Sequence, residues 1–385
     1  MVIFIINFIN IINQFVIAGT KPVITLYSFK LGASPTEIGL IVAVFAFLPA
    51  ILAVHIGKWI DRIGIKNMVS LGCIIIFVSI LLPLIYTNMI MFIFSQALMG
   101  IAFTCQVLAL QKRVGNGAED IDKRIATFGL FASFGAMLGP LFSTYMYERL
   151  GFAYSYGVNG LLVLFAVAAI YVISRKQWEV SKEKSCSPIE TKSDESVWKM
   201  LKNKDLRNAV ITSGLAISSK EIFSAYFPLL GENMGLSPTI IGIILSIMGA
   251  TSMIIRMGQH YLVNQFGRGH VLMWSLYISG IIYLLTPISS YFWVLACLVA
   301  ILGGSLGLGQ PLSLAYAIQV SPLERRGEVL GMRITFNRVS QTLIPAVFGG
   351  IGGVAGLSII FVASGVMLLL GGYLTRPTSA ATKKA

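Results

Sequence analysis

Of the sixteen acidic residues in the chain, one stands apart. Glu221 lies deep within an apolar run with Lys220 beside it, whereas Asp61, Glu119, Asp120, Asp122, Glu324, Glu328 and the acids of residues 175–206 fall in polar segments. Glu37, Glu148 and Glu232 sit at the ends of apolar runs on the opposite side. An ionisable side chain within such a run costs about 2.5–3.5 kcal/mol on insertion scales, so it faces a water-filled cavity or a partner. A carboxyl group there can take up and release a proton as its access to water changes. Burial favours its neutral form and a nearby cation its charged form. A fixed ion pair with Lys220 or Arg338 is the alternative, and the residues alone leave both open.

Other groups at comparable depth widen the chemistry. Asn7, Asn10, Gln14 and Lys21 follow spacings of three, four and seven, which places them along one helical stripe. Amides on such a stripe can bind a solute or water, or join helices by hydrogen bonds. Gln106 and Gln310 lie at similar depths in two further runs, and Arg338 is flanked by Asn337 and Gln341. Three deep cations, Lys21, Lys220 and Arg338, against one deep acid would make an interior cavity positive and suit an anionic or zwitterionic ligand. The histidines His55, His260 and His270 are too scattered for a metal site, and the four cysteines give neither a ligand spacing nor a disulfide framework. Neither a G-x-x-x-x-G-K-S/T loop nor an H-E-x-x-H pattern is present. The expectation is a protein without cofactor or metal that is not an enzyme.

The elements that must position these groups are membrane spans. With 56% of its residues apolar and 12% charged, the chain is too hydrophobic for an ordinary soluble domain. Apolar runs predict helices near 2–27, 35–57, 67–86, 89–112, 124–147, 152–174, 207–231, 237–261, 269–287, 291–318, 326–349 and 353–374. The formal charge of +13 does not point to nucleic acid, because the basic residues alternate between loops rather than forming one face. Only Lys30 and Arg149 fall on one side and Lys21, Lys220 and Arg338 within helices; the remainder occupy the side of both termini. By the positive-inside rule that side is the cytoplasm, and the protein is expected in a bacterial-type inner membrane. The first helix lacks a basic n-region and a cleavage site, so it reads as retained.

The segment Leu31-Gly-Ala-Ser-Pro-Thr-Glu-Ile-Gly-Leu-Ile-Val42 recurs as Met234-Gly-Leu-Ser-Pro-Thr-Ile-Ile-Gly-Ile-Ile-Leu245 at an offset of 203 residues. In each copy Ser is a suitable N-cap and Pro occupies the first helical position, where its missing N–H costs nothing. The reading is a duplication: a six-helix half over 1–174, a polar linker over 175–206, a second half over 207–374 and a tail over 375–385.

Between the second and third helices the chain reads Gly57-Lys-Trp-Ile-Asp61-Arg62-Ile-Gly64-Ile-Lys66. This resembles the signature loop of the major facilitator superfamily, departing only at Ile65. The second copy is degenerate and keeps its turn glycine, Gly267. Gly135-Ala-Met-Leu-Gly139-Pro140 resembles the G-x-x-x-G-P core of the superfamily's antiporter motif, with Ser143-Thr144 where a glycine pair usually follows. Where the drug/proton antiporters carry an arginine four residues before a glycine in the fourth helix, this chain has Gln96 before Gly100.

The resemblance implies an all-α fold of about twelve transmembrane helices in two pseudo-symmetric bundles, with helices one, four, seven and ten lining a central cavity. It assigns Gly57, Asp61, Arg62, Gly64 and Lys66 to a latch that holds the cytoplasmic side closed, with Arg333 as partner of Asp61. It implies a monomeric, proton-coupled exporter of small organic molecules working by alternating access, with Glu221 as coupling acid. The cavity candidates are Asn10, Gln14, Lys21, Gln106, Lys220, Gln310 and Arg338. An importer (symporter or uniporter) of an organic anion or other small solute, and a channel or sensor that keeps the fold, are the rival expectations.

Overall fold

The structure is a computed structural model that describes residues 2–115, 121–172, 178, 203–321 and 325–376. Among these residues the chain forms twelve long helices, one 3-10 turn (Thr286–Ile288) and no strand. The first six are α1 (Val2–Lys30), α2 (Pro35–Ile63), α3 (Ile65–Ile85), α4 (Met89–Gly115), α5 (Ile121–Leu150) and α6 (Phe152–Val172). The second six are α7 (Lys204–Asn233), α8 (Pro238–Phe266), α9 (Arg268–Leu285), α10 (Phe292–Gln319), α11 (Arg326–Ala355) and α12 (Leu357–Leu374). Ten of them are long and apolar enough to cross a membrane. The two that fall short are α7 and α11, which carry Lys220, Glu221, Arg333 and Arg338 in their middle portions. Most of the region read as linker, and residues 377–385 of the tail, lie outside the described residues.

The repeat is visible in local geometry. Ser34 caps α2 and closes a capping box with Glu37, and Ser237 caps α8 in the same way through Ile240 N–H. The turns that precede and follow these helices both need a left-handed glycine. Gly32 (φ 88°) corresponds to Gly235 (φ 80°), and Gly64 (φ 89°) to Gly267 (φ 76°). At the end of α11 the boundary differs from the sequence expectation. Gly352 and Gly353 do not break the chain; α11 runs through them and turns at Gly356 (φ 91°). Their missing side chains serve close packing instead, against Ile360 and Thr36 respectively.

The halves meet through two equivalent crossings, α2 on α11 and α5 on α8. At the first, a Cβ added to Gly39 would stand 2.9 Å from the Pro345 carbonyl oxygen. At the second, a Cβ added to Gly242 would stand 2.8 Å from the Pro140 carbonyl oxygen. Both distances are too short for any side chain, so each half lays a glycine of its second helix over a proline carbonyl in the fifth helix of the other. Tyr226 of α7 locks the first crossing by donating to Pro345 O at 2.9 Å, with Pro35 O at 3.4 Å. Thr36 adds a bond to Gly349 O, and Thr239 N–H donates to Glu148 at 2.7 Å across the second crossing.

These contacts lie toward the side opposite the chain termini, here the far side. The apolar cores follow the same division. Leu26, Ala33 and Ile38 of the first half join the core of the second at the far side. On the terminal side each half has a core of its own. Together these features give a bundle pair sealed at the far side with a cleft between the halves on the terminal side.

Candidate functional site

α7 is an interior helix, packed by α1, α10, α11 and α12. Its neighbours in sequence Ser218, Ser219, Ile222 and Phe223 are all buried, yet the Lys220 side chain is exposed. A side chain can be exposed in mid-helix there only by projecting into the cleft between the halves. Glu221, next to it, accepts a hydrogen bond from Lys21 Nζ of α1 at 2.7 Å, an ion pair that crosses from one half to the other. Lys21 also lies over the Phe45 ring, 4.5 Å from its centroid, a cation–π contact that fixes the ammonium from below.

The pair closes a small pocket lined by Ile24, Ile41, Val42, Phe45, Gln96 and Ser224 among others, with about 10 Å³ open to the centre of a water molecule. Gln96 contributes a buried amide whose Nε2 has no acceptor among the described residues. An unpaired donor in so enclosed a place costs about 1–3 kcal/mol unless a water or ligand satisfies it.

Three further cations surround this point. Lys220 and Arg338 both lie close enough to Glu221 for direct Coulomb interaction. Arg256 of α8 acts on Lys220. Arg338 donates to Gln341 Oε1 at 3.2 Å. Arg256 donates through Nε to Gly307 O at 3.1 Å and through Nη1 to Ser133 Oγ of α5 at 3.3 Å, a further polar link between the halves. Below them, Gln310 of α10 bonds to Ser213 O and accepts from Arg333 Nη2 and Asn337 Nδ2. That network ties α7, α10 and α11 together. The arrangement can hold a charge deep between the halves and exchange one counter-ion for another.

The structure separates the sequence candidates into two groups. Lys21, Lys220, Glu221 and Arg338 come together, and Gln14 lies half-buried on the stripe of Lys21. Asn10 does not reach the cleft. It is fully buried and donates to Phe128 O of α5 at 2.9 Å, so it joins helices within the first half. Gln106 is likewise buried, with its amide on Cys73 Sγ of α3 at 3.0 Å. Gln310 serves the network just described. The counter-ion of Glu221 is neither of those expected: the Lys21 ammonium takes that place, because α1 packs beside α7 where the halves approach.

The signature loop also differs from expectation. Asp61 pairs with Lys112 of α4, both side chains exposed, not with Arg333. Arg333 is buried and donates to Gln310 and to Ser313 Oγ at 2.9 Å, so it is held within the second half. Asp61 and Arg333 form no hydrogen bond or ion pair with each other among the described residues. Gly57 faces open space, Gly64 makes the turn, Arg62 is exposed and Lys66 covers the Tyr171 ring. The G-x-x-x-G-P segment packs on one side against α1, where Gly135 and Gly139 leave no room for a Cβ against the carbonyls of Ile11 and Phe15. On its other side the Pro140 carbonyl meets Gly242. It is thus a close crossing that connects the ion-pair helix α1 to the interface helix α8.

Two members of the site were not legible as such. Arg256 sits close to the predicted end of its helix at 261 and was grouped with the terminal-side basic residues; α8 continues to Phe266 and carries it inside. Gln96 registered only as a missing arginine. A larger cavity of about 570 Å³ lies elsewhere, between α8, α9 and α10, lined by Ile254, Trp274, Ile278, Ile301 and other residues without charge. It opens on the outer flank of the second half, away from the charged cluster.

Comparison with known proteins matches this geometry to one family. The profile of the Major Facilitator Superfamily matches residues 3–268 and 209–385. The chain is 23% identical over 397 residues to multidrug resistance protein 2 of Bacillus subtilis, covering 97% of this chain and 94% of that one. It is 24% identical over 357 residues to the quinolone resistance protein NorA of Staphylococcus aureus, covering 90% and 89%. An uncharacterised MFS-type transporter of Methanocaldococcus jannaschii is 21% identical over 358 residues, with 92% of each chain covered. Among solved structures, the nucleoside transporter NupG superimposes with a TM-score of 0.79 at 12% identity, covering 100% of this chain and 99% of that one. The peptide transporter POT in complex with sulfate gives 0.75 at 15%, covering 97% and 93%. The chain is a multi-pass membrane transporter, not an enzyme, and it belongs to the Major Facilitator Superfamily.

Proposed function

We propose that this protein exports small organic molecules by alternating access, driven by proton influx. The observation that carries the reading is the Lys21–Glu221 ion pair, which links the halves in a cleft sealed on the far side. With the termini in the cytoplasm, as the distribution of Lys and Arg argues, the cleft faces the cytoplasm and a substrate loads from there. Passage to the opposite state requires the two glycine–proline crossings to part, which α1 and α7 cannot follow while Lys21 holds Glu221. Substrate arriving from the cytoplasm breaks the pair and lets the bundles rock; a proton taken up by Glu221 on the far side keeps Lys21 released for the return, so substrate and proton alternate at one contact. Asp61 of the signature loop then has the role of holding the cytoplasmic side closed once the bundles have rocked, a state in which its present Lys112 contact is exchanged.

The direction is supported by the G-x-x-x-G-P segment and by the names of two relatives, a multidrug resistance protein and a quinolone resistance protein. The test is accumulation of a quinolone, ethidium and an aromatic carboxylate panel in energised cells expressing wild type or Glu221→Gln, with and without a proton uncoupler. Wild type is expected to lower the cellular level of at least one compound, and both the variant and the uncoupler to abolish the effect. An increase in the wild-type cells would replace export with import, and normal export by Glu221→Gln would remove this residue from coupling.

A further inference from the structure

The charged cluster is unbalanced. Lys21, Lys220 and Arg338 act directly on one acid, Glu221, with Arg256 acting on Lys220, and that acid is engaged by Lys21. Lys220 has neither a hydrogen bond nor an ion pair among the described residues, and it projects into the cleft. No other acid stands on the faces of α1, α2, α4, α8, α10 or α11 that turn toward this point; their acids, Glu37, Asp61 and Glu328, lie at helix ends. A cation held unpaired in such a place needs water or an exchangeable anion. The second observation is independent of charge. Gln96, 2% exposed, lines the Lys21–Glu221 pocket and presents an amide nitrogen without an acceptor. A missing acceptor beside an ammonium describes an oxygen anion.

We propose that this cluster is a carboxylate-binding site, in which the carboxylate of an organic anion takes the place of the Glu221 carboxylate on Lys21 Nζ, with Gln96 Nε2 as a second donor. The proposal rests on the reading of the cleft as the transport path and names its substrate class. The incoming carboxylate frees Glu221 from Lys21, and the displaced Glu221 carboxylate stays ionised in the field of Lys220 and Arg338. Carboxylate and proton thus take turns at the Lys21–Glu221 contact, with no covalent bond made or broken. Beside the Lys21–Glu221 pair the pocket has room for about one water, so a ligand carboxylate enters only where the Glu221 carboxylate has withdrawn. The body of the molecule remains in the cleft, where Lys220 and Arg338 neutralise further negative charge. A lipophilic cation would instead add charge to a site already rich in it.

Binding is measured by calorimetry and thermal unfolding on the purified full-length protein in nanodiscs, without any gradient. The probes are benzoate, 3-phenylpropionate and 4-phenylbutyrate, each with the amine and the amide of the same skeleton, and chloride as an inorganic control. The carboxylates are expected to bind about tenfold or more tighter than the matching amines. Glu221→Gln tightens carboxylate binding by removing the competitor, Lys21→Met abolishes it, and Gln96→Leu weakens it while leaving the ion pair in place. Monodispersity on size exclusion, together with the Lys21→Met/Glu221→Gln double variant, separates loss of the site from loss of the fold. Equal or tighter binding of the amines, or carboxylate affinity unchanged by both Glu221→Gln and Gln96→Leu, overturns the proposal. Carboxylate binding without uncoupler-sensitive export leaves the site standing and removes the export reading; export of a quinolone without carboxylate binding does the reverse.

Discussion

Lys21 and Glu221 belong to opposite halves of the chain, and their side chains meet at 2.7 Å in the cleft between them. The pair keeps 15% and 21% of its side-chain surface exposed, so it is neither a surface ion pair of small worth nor a fully dry one. Removing one partner strands the other. Lys21→Met and Glu221→Gln are each expected to lower stability by roughly 2–3 kcal/mol, below the ~3–5 kcal/mol of a fully buried pair. The double variant should recover most of that loss. A double-mutant cycle on the purified protein reads the coupling, and strictly additive losses would mean that the two residues do not hold each other.

The glycine–proline crossings are expected to set which state the protein prefers. Gly39→Val or Gly242→Val pushes a side chain onto a proline carbonyl and should disfavour the sealed far side by about 1–3 kcal/mol. Spin labels at Leu31 and Val354, in a background with Cys73, Cys105, Cys186 and Cys297 replaced by Ser, report the separation of the halves there. The distance distribution should shift to longer values in either variant. An unchanged distribution would show that the crossings do not control closure.

Arg256 bridges α8 to α10 and α5 through two hydrogen bonds of a single guanidinium. Arg256→Met should cost about 1.5–3 kcal/mol, the range for hydrogen bonds to charged groups. Arg256→Lys retains the charge but not the fork, and should recover the field on the cleft without the bridge. Thermal unfolding checks the first statement. Transport by Arg256→Lys, set beside Arg256→Met, checks whether charge or bridging matters to function.

Asp61 and Lys112 form an exposed pair, so neither Asp61→Asn nor Lys112→Met should move stability by more than about 0.5 kcal/mol. Transport is expected to separate them. Asp61→Asn should reduce the rate several-fold if Asp61 latches the other state, whereas Lys112→Met, which loses only the present contact, should remain near wild type. Equal effects of the two variants would place the function of Asp61 in this contact rather than in the latch.

The fold was legible because its signals are local. Length and polarity of each apolar run give the helices, and Ser34-Pro35 and Ser237-Pro238 start two of them in equivalent places. The turn glycines repeat for the same reason: the turns at Gly32 and Gly64, and at Gly235 and Gly267, each use a positive φ. Where a glycine serves packing instead, local reasoning misplaces it, as with Gly352 and Gly353, because a contact with α2 or α12 leaves no mark in the neighbouring sequence.

The site was legible in part. A charge within an apolar run is conspicuous, so Lys21, Lys220, Glu221 and Arg338 stand out from composition alone. Their partners do not, since pairing depends on the rotation and depth of helices distant in the chain. Asn10 shares a stripe with Lys21, yet it turns to Phe128 because α5 crosses α1 closely at Gly135 and Gly139. The sequence by itself determined that the chain is a duplicated bundle of membrane helices with ionic groups at mid-depth. Only the tertiary structure decided that Glu221 meets Lys21, that Arg333 stays within its own half and that Gln96 offers an unused donor beside the pair. Helix formation and burial follow from short-range periodicity, whereas the choice of an ionic partner is made across an interface that forms only when the two halves pack.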